Sequence, residues 1–279
     1  MRLSYSAIST FNQCPQKYKW QYIERIKAPT TPDLFLGWLV HLVLEYALQN
    51  APAMPPVNKL LELYNLRWNP SIFKDSAIEK EYHQAGAEMI KSFHNAYAPG
   101  LSTVLNVEKF FEIRWKNHLI VGKIDRIDRL PSGEIEIIDY KTNRKLPSES
   151  DFKFDFQLPL YQWAAQTLWS NIDKAKLTLY FLRHGKKITP ENIKTLPVLQ
   201  GYILETVEKI NTSDFLANPS PLCAWCEYSN KCPEGQSVSH NSTDSRDNQP
   251  ANSSSLSLGV GDWRTKNGFP KDSLFRDLN

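Results

Sequence analysis

Two aspartates and a lysine stand close together in the middle of this 279-residue chain. They fall in Gly122-Lys123-Ile124-Asp125-Arg126-Ile127-Asp128 and, after a short turn, in Ile138-Asp139-Tyr140-Lys141-Thr142. Read as backbone, the two runs are neighbouring strands joined by a tight connection at Pro131-Ser132-Gly133. A strand's period of two points Ile135, Ile137, Asp139 and Lys141 to one face, so an acid and a base emerge where the apolar run ends. Asp125 is expected at the end of the neighbouring strand. Carboxylates so placed offer hard oxygens to Mg²⁺ or Mn²⁺, and an ammonium two residues past the second one can orient a water or hold a phosphate oxygen. The competing reading is a surface hairpin whose Asp and Lys form a solvated ion pair.

The elements that must position these residues follow from the surrounding pattern. Phe111, Ile113 and Trp115 alternate with Glu112 and Arg114, which predicts a strand pairing with 118–125, itself paired with 134–141, in a three-strand meander. Leu177–Leu182 reads as a further strand, returning beside the meander through a crossover. Before the meander, Thr31-Pro32-Asp33 starts a helix that is apolar nearly all round and therefore buried. Its exceptions, Gly37, His41 and Glu45, recur on one stripe. By spacing alone, His41 reads as a satisfied core histidine. After the meander, Gln157-Leu158-Pro159-Leu160-Tyr161 opens another helix, with Gln157 and Tyr161 one turn apart on a shared face. A last helix is predicted over 196–212.

Residues 1–27 read as two short helices broken at Cys14-Pro15, with Ser4 or Ser6 as N-cap. There Lys17, Lys19, Arg25 and Lys27 interleave with Tyr18, Trp20 and Tyr22. This suits either a surface tracking a single nucleic-acid strand or an amphipathic helix with its aromatics in the core. Residues 50–105 form a proline-punctuated, mostly helical insertion, expected to cover one wall of a groove, with His83 and His94 at its surface. Residues 235–279, rich in Ser, Asn and Gln and without period, are expected to be a flexible tail on a single domain of residues 1–234.

Composition bounds the partners. A 41% hydrophobic chain can bury a full core, and a net charge of +3 permits nucleic acid without demanding it. No stretch approaches 18 uninterrupted apolar residues and none has the pattern of a leader, so the expectation is a soluble, cytoplasmic protein with no membrane partner. No G-x-x-x-x-G-K-[ST] occurs, so a nucleotide-driven motor would have to come from a separate polypeptide. The four cysteines are Cys14, Cys223, Cys226 and Cys232. C-x₂-C-x₅-C is a ligand loop, since two intervening residues let both thiolates converge on one centre. In an intracellular chain that centre is a metal rather than a disulfide, and spacing leaves structural zinc and an iron–sulfur cluster both open.

GKIDRID followed by IIDYKT resembles motifs II and III of the RecB-like branch of the PD-(D/E)xK nuclease superfamily. GWLVHLVLE resembles that family's G-x-x-x-H-x-x-L-E, and Gln157 with Tyr161 its Q-x-x-x-Y. The resemblance implies an α/β, restriction-endonuclease-like αβββαβ core with added helices. It implies His41, Asp125, Asp139 and the Tyr140 carbonyl as ligands of Mg²⁺ or Mn²⁺, with Lys141 catalytic and Gln157 and Tyr161 lining the groove. Glu45 would support His41, and Glu108 matches an acidic position of the family, against the alternative of an exposed strand-end glutamate. LSYSAISTFNQCPQKYKW with the C-terminal cysteines is similar to the family's iron–sulfur members. That implies a [4Fe–4S] cluster on Cys14, Cys223, Cys226 and Cys232, clamping the two ends of the domain, with zinc as the alternative occupant. The implied activity is a metal-dependent deoxyribonuclease, an exonuclease on single-stranded DNA or duplex ends, working in DNA repair with a separate helicase. The alternative is an idle DNA-end-binding module serving such a helicase.

Overall fold

The computed structural model describes residues 1–235 apart from 99, 149–151, 153–154, 170–171, 173–174 and 192; the expected tail over 236–279 lies outside the described residues. Strand β1 (Arg2–Ser4) leads into helix α1 (Tyr5–Gln13), the short α2 (Pro15–Tyr18) and a π-helical turn at Lys19–Ile23. Helices α3 (Pro32–Leu48), α4 (Val57–Arg67) and α5 (Ser76–Ala96) come next. Then follow β2 (Thr103–Trp115), β3 (His118–Arg129), β4 (Ile135–Lys141), α6 (Gln157–Leu168), β5 (Lys176–Phe181), β6 (Lys186–Ile188) and α7 (Leu196–Thr212). This is the expected mixed α/β core, with additions. The sheet has six strands in the order β1-β3-β4-β5-β6, with β2 on the other side of β3. Strands β1 and β6 were not foreseen, because three residues are too few to display a period.

Turn chemistry fixes the meander. Trp115 pairs with His118 across the two-residue turn Lys116-Asn117, where Lys116 has φ 50°, as right-twisted hairpins require. At the next connection Gly133 takes φ 86°, and Leu130 N–H donates to the Glu134 carbonyl at 2.8 Å. Strand β4 then runs parallel to β5 through the α6 crossover.

Strand alternation sorts the core into two layers. Ile135 and Ile137 of β4 join Leu158, Tyr161, Ile203 and the residues of α1 on one face. Ile138 and Tyr140 join α3, α4 and α5 on the other. Helix α3 is buried almost all round, as its sequence predicts, with Trp38, Leu39 and Val43 essentially inaccessible. Each such side chain contributes about 1.5–3 kcal/mol relative to remaining in water. Its start is the predicted one: Thr31 Oγ1 accepts from Leu34 N–H at 3.3 Å and Pro32 occupies the first turn.

At the N-terminus Ser4 is the cap, accepting from Ala7 N–H at 3.1 Å. The aromatics of this segment face inward: Tyr18 and Trp20 are buried, and Lys17 is buried in an ion pair with Glu227 at 2.6 Å. Of the two readings of residues 15–27, the amphipathic one places Tyr18 and Trp20 correctly, but Lys17 is buried where that reading leaves it in water. His83 and His94 are half-buried rather than free at the surface, bonded to Asn65 Oδ1 at 2.9 Å and to the Pro55 carbonyl at 3.2 Å.

Candidate active site

The site arises where the sheet splits. Strands β3 and β4 pair only from Arg129↔Ile135 to Arg126↔Ile138. Beyond that point β3 turns to β1, pairing Leu119–Val121 with Arg2–Ser4. The ladder position lost at the split is taken by a side chain: Asp125 Oδ2 accepts the Tyr140 N–H at 2.8 Å. Asp125 thus lies inside β3, not at its end, and marks the end of the β3–β4 ladder. A cavity of about 630 Å³ opens there, lined by His41, Lys123, Asp125, Asp139, Lys141 and Gln157 among others.

On the α6 side of β4, Asp139 and Lys141 emerge together as the period of two predicts. Lys141 Nζ lies 2.7 Å from Asp139 Oδ2 and donates to Gln157 Oε1 at 2.9 Å. Gln157 Nε2 donates to Asp139 Oδ1 at 3.0 Å and to the Tyr161 hydroxyl at 2.7 Å. Tyr161 in turn donates to the Lys123 carbonyl at 3.1 Å, with Asp139 Oδ1 at 3.2 Å. Helix α6 is aimed by Asp155, whose Oδ1 caps Gln157 N–H at 2.6 Å and Leu158 N–H at 3.2 Å. All four side chains are buried, with Asp139 and Gln157 each 2% exposed.

From the other face of the sheet, α3 presents His41. Its Nε2 meets the Tyr140 carbonyl at 3.2 Å, and its Nδ1 lies 3.5 Å from Asp125 Oδ1 and 3.8 Å from Glu108 Oε1. One ligand atom from each of His41, Glu108 and Asp125 falls within 4.8 Å of the others, a spacing that could hold a metal ion. Glu108 is the residue underweighted by sequence reasoning. It is no exposed strand end: its side chain is 5% exposed, and the register that pairs Val107 with Arg126 and Lys109 with Ile124 sets it opposite Asp125. Counting back from the Trp115↔His118 turn would have found it. Asp139 lines the same cavity but lies outside that three-residue group. Glu45 is half-buried one turn along α3, away from the cavity lining. The helical segment 50–105, expected to wall the groove, packs on α3 and on Tyr140 and Tyr180 of the sheet, and the cavity lining passes from His41 to Val121.

Charge is unevenly shared among these groups. Burial alone would lower His41, but the Asp125 and Glu108 carboxylates outweigh it and push it up to about 10. Asp125 is also buried, which opposes ionisation, yet His41 and the Tyr140 N–H hold it below the ordinary carboxylate range. Burial pushes Asp139 up to about 6 despite Lys141 beside it, and the Asp125 charge adds to the rise. Lys141 is penalised by burial, but Asp139 overcomes this and keeps the ammonium charged.

The same cavity reaches the cysteines. Cys14, Cys223, Cys226 and Cys232 all line it, brought together from the two ends of the described chain. Protein contacts fasten those ends directly: Lys17 to Glu227, Asn218 Nδ2 to the Gln13 carbonyl at 3.0 Å, and Tyr228 hydroxyl to the Ile26 carbonyl at 2.9 Å. Trp20 packs against Tyr228 with ring centroids 5.4 Å apart. Burial pushes the Cys226 thiol up, while Lys17 opposes that rise. All four cysteines line this cavity, but among the described residues the spacing that could hold a metal ion is met by His41, Glu108 and Asp125 and by no three of the cysteines.

Hard oxygen donors next to a lysine whose ammonium is stabilised by Asp139 suit chemistry on a phosphate ester, which needs charge neutralisation more than a covalent nucleophile. Residues 2–233 match the family model of the PD-(D/E)XK nuclease superfamily, and the chain belongs to that superfamily. It is 30% identical over 166 residues to a subunit of the ATP-dependent helicase/deoxyribonuclease of Streptococcus agalactiae, covering 56% of this chain and 15% of that one. The corresponding protein of Streptococcus pyogenes serotype M3 is 26% identical over 209 residues, 70% of this chain and 18% of that one. The chain thus spans less than a fifth of the length of these relatives. The crystal structure of a candidate exonuclease from Eubacterium rectale aligns over 92% of this chain and 93% of that chain, with a TM-score of 0.47 and 13% identity. Among the described residues no helix is long and apolar enough to cross a membrane.

Proposed function

We propose that this chain is a Mg²⁺- or Mn²⁺-dependent deoxyribonuclease acting on single-stranded DNA or strand ends, with His41, Glu108, Asp125 and Asp139 holding the ion beside the Tyr140 carbonyl. The observation that carries this reading is the buried chain Lys141–Gln157–Tyr161 around Asp139, sharing one cavity with His41 and Asp125, behind which Glu108 completes the group able to hold a metal. A bound divalent ion there supplies neutralisation of phosphate charge and a lowered pKa for a ligated water. Lys141, kept cationic by Asp139 and aimed by Gln157, donates to the attacking water or to a phosphate oxygen. Tyr161 holds Gln157 against Asp139, so the lysine cannot wander from the acid. His41, anchored on the Tyr140 carbonyl, turns its Nδ1 toward the carboxylates.

The names of the relatives support DNA as substrate and a helicase as partner, since both describe part of a helicase/deoxyribonuclease. A cavity walled by α1, the start of α3 and residues 217–235 also favours a flexible single strand over a stiff duplex. For the cysteines the reading is a [4Fe–4S] cluster that seals the contact between the N-terminal helices and residues 217–235. We read residues 1–234 as one nuclease domain.

The test is an oxygen-free preparation assayed on labelled single- and double-stranded DNA with Mg²⁺, Mn²⁺ or chelator. Expected are a brown protein with broad absorbance near 400 nm and metal-dependent cleavage of single strands. Asp139→Asn and Lys141→Ala should lose cleavage by about 10²-fold or more while keeping wild-type circular dichroism. Cleavage surviving in either variant would refute the site. A colourless protein carrying zinc would refute the cluster.

A further inference from the structure

Lys123 is a charge in the site that the proposed chemistry does not use. Its ammonium contacts Glu108 Oε2, and the two side chains are 12% and 5% exposed. The pair is built by register: Lys123 lies opposite Phe110, so Glu108 is its diagonal neighbour on β2. Two features fix the backbones on either side. Glu108 sits at φ 50°, a left-handed conformation unusual for a glutamate. The Lys123 carbonyl is held by the Tyr161 hydroxyl at 3.1 Å. What remains mobile is the four-carbon stem of Lys123, which also lines the cavity.

Glu108 therefore has two competing demands on it. Its Oε1 faces His41 Nδ1 within the group able to hold a metal, while its Oε2 is taken by the ammonium. A divalent cation between His41, Glu108 and Asp125 would sit beside a lysine whose charge repels it, in a site with little water to screen the repulsion. Without the ion, Lys123 is the nearer of the two cationic partners of this buried carboxylate, the other being His41 with Nδ1 3.8 Å from Oε1.

We propose that Lys123 is a displaceable counter-ion: it holds Glu108 while the site is free of metal and releases it, swinging into the cavity, when a divalent cation enters. The inference rests on the metal reading of this site, and it makes Lys123 a positioning residue that tunes metal affinity. In this account the lysine keeps the metal-free fold stable at the expense of affinity, so ion occupancy becomes sensitive to one side chain outside the ligand set.

The experiment is titration of Mn²⁺ into wild type, Lys123→Met and Lys123→Arg, by calorimetry and by the rise in melting temperature at saturating ion. Lys123→Met should bind Mn²⁺ at least tenfold more tightly, equivalent to about 1.4 kcal/mol. Its metal-free form should melt below wild type, and its gain on adding Mn²⁺ should be the larger of the two. Lys123→Arg should stay within about threefold of wild type, since it retains the charge. If wild type binds Mn²⁺ but Lys123→Met binds equally or more weakly, the counter-ion role is wrong and the metal site stands. If wild type binds no divalent ion, both are wrong. Should Lys123→Met fail to fold without metal, refolding it across a Mn²⁺ series decides the matter: recovery at concentrations below the wild-type dissociation constant supports displacement, and recovery only above it overturns it.

Discussion

Metal binding to this site should expel a proton, and the amount is set by His41. Burial works against charge on the ring, but Asp125 at 3.5 Å and Glu108 at 3.8 Å reverse this and raise it to about 10. At pH 7.5 the ring of the metal-free protein is then an imidazolium. A metal accepts the neutral imidazole alone, so each ion bound must release close to one proton. Asp139, raised to about 6, is already ionised at that pH and adds little. Apparent affinity for Mg²⁺ should therefore climb about tenfold per pH unit between pH 7 and 9. The sign is fixed by the direction of the shift. A histidine raised above its unfolded value stabilises the metal-free fold below about pH 6.5, and that contribution fades as pH rises through about 10. Calorimetry in Tris and in HEPES at equal pH gives the proton count from the difference in heats. A count below about 0.3, with affinity flat across pH, would mean that His41 is not a ligand or that the two carboxylates do not charge it. His41→Asn separates these outcomes, because it should abolish both the binding and the release.

Four further outcomes follow from single contacts. Asp128 is 1% exposed and held by Arg126 at 2.7 and 2.6 Å, so Arg126→Ala should cost about 3–5 kcal/mol by removing the counter-charge of a buried carboxylate to which the Ser102 hydroxyl still donates. In a domain of this size that lowers the melting temperature by roughly 6–20 °C; a drop under 3 °C would show the pair to be dispensable. Gly122→Ala would bring a methyl to 2.4 Å from Phe111 Cζ, and the ring must move, so urea denaturation should show a loss of about 1–3 kcal/mol. Gln157→Leu removes the bridge between Lys141 and Asp139 and should lower kcat by about 10- to 10³-fold with little change in KM for DNA. A selective rise in KM would instead make Gln157 a strand contact. Glu227→Ala leaves Lys17 buried without its partner at 2.6 Å and should loosen the N-terminal helices, seen as faster hydrogen exchange over residues 5–23 while the β4 amides stay protected.

The D-x-K strand was legible because β4 is regular from Ile135 to Lys141, and a regular strand makes alternation a reliable guide to which side chains share a face. His41 was legible only through the resemblance of GWLVHLVLE to the family's G-x-x-x-H-x-x-L-E, since on a helix apolar nearly all round its spacing alone reads as a core histidine. Glu108 fails the test of alternation. Phe111 and Ile113 are buried while Phe110, Glu112 and Arg114 are exposed, so strict alternation assigns residue 108 to the outside. Residue 108 does share its face with Phe110 and Lys123, but there α3 brings His41 over the glutamate, and the backbone at 108 is left-handed, φ 50°. Nothing in a glutamate announces such a turn, as a glycine or an asparagine would. The split of the sheet is hidden for a related reason. It depends on Asp125 taking the Tyr140 N–H that a backbone carbonyl would otherwise accept, which is a choice between two partners that both strands' sequences allow. The irregularities at 108 and 125 lie opposite each other on adjacent strands, and the candidate metal ligands gather between them. Register already sets Glu108 opposite Asp125 on one face, and what the end of the β3–β4 ladder adds is the open cavity that Asp125, Asp139 and His41 all line.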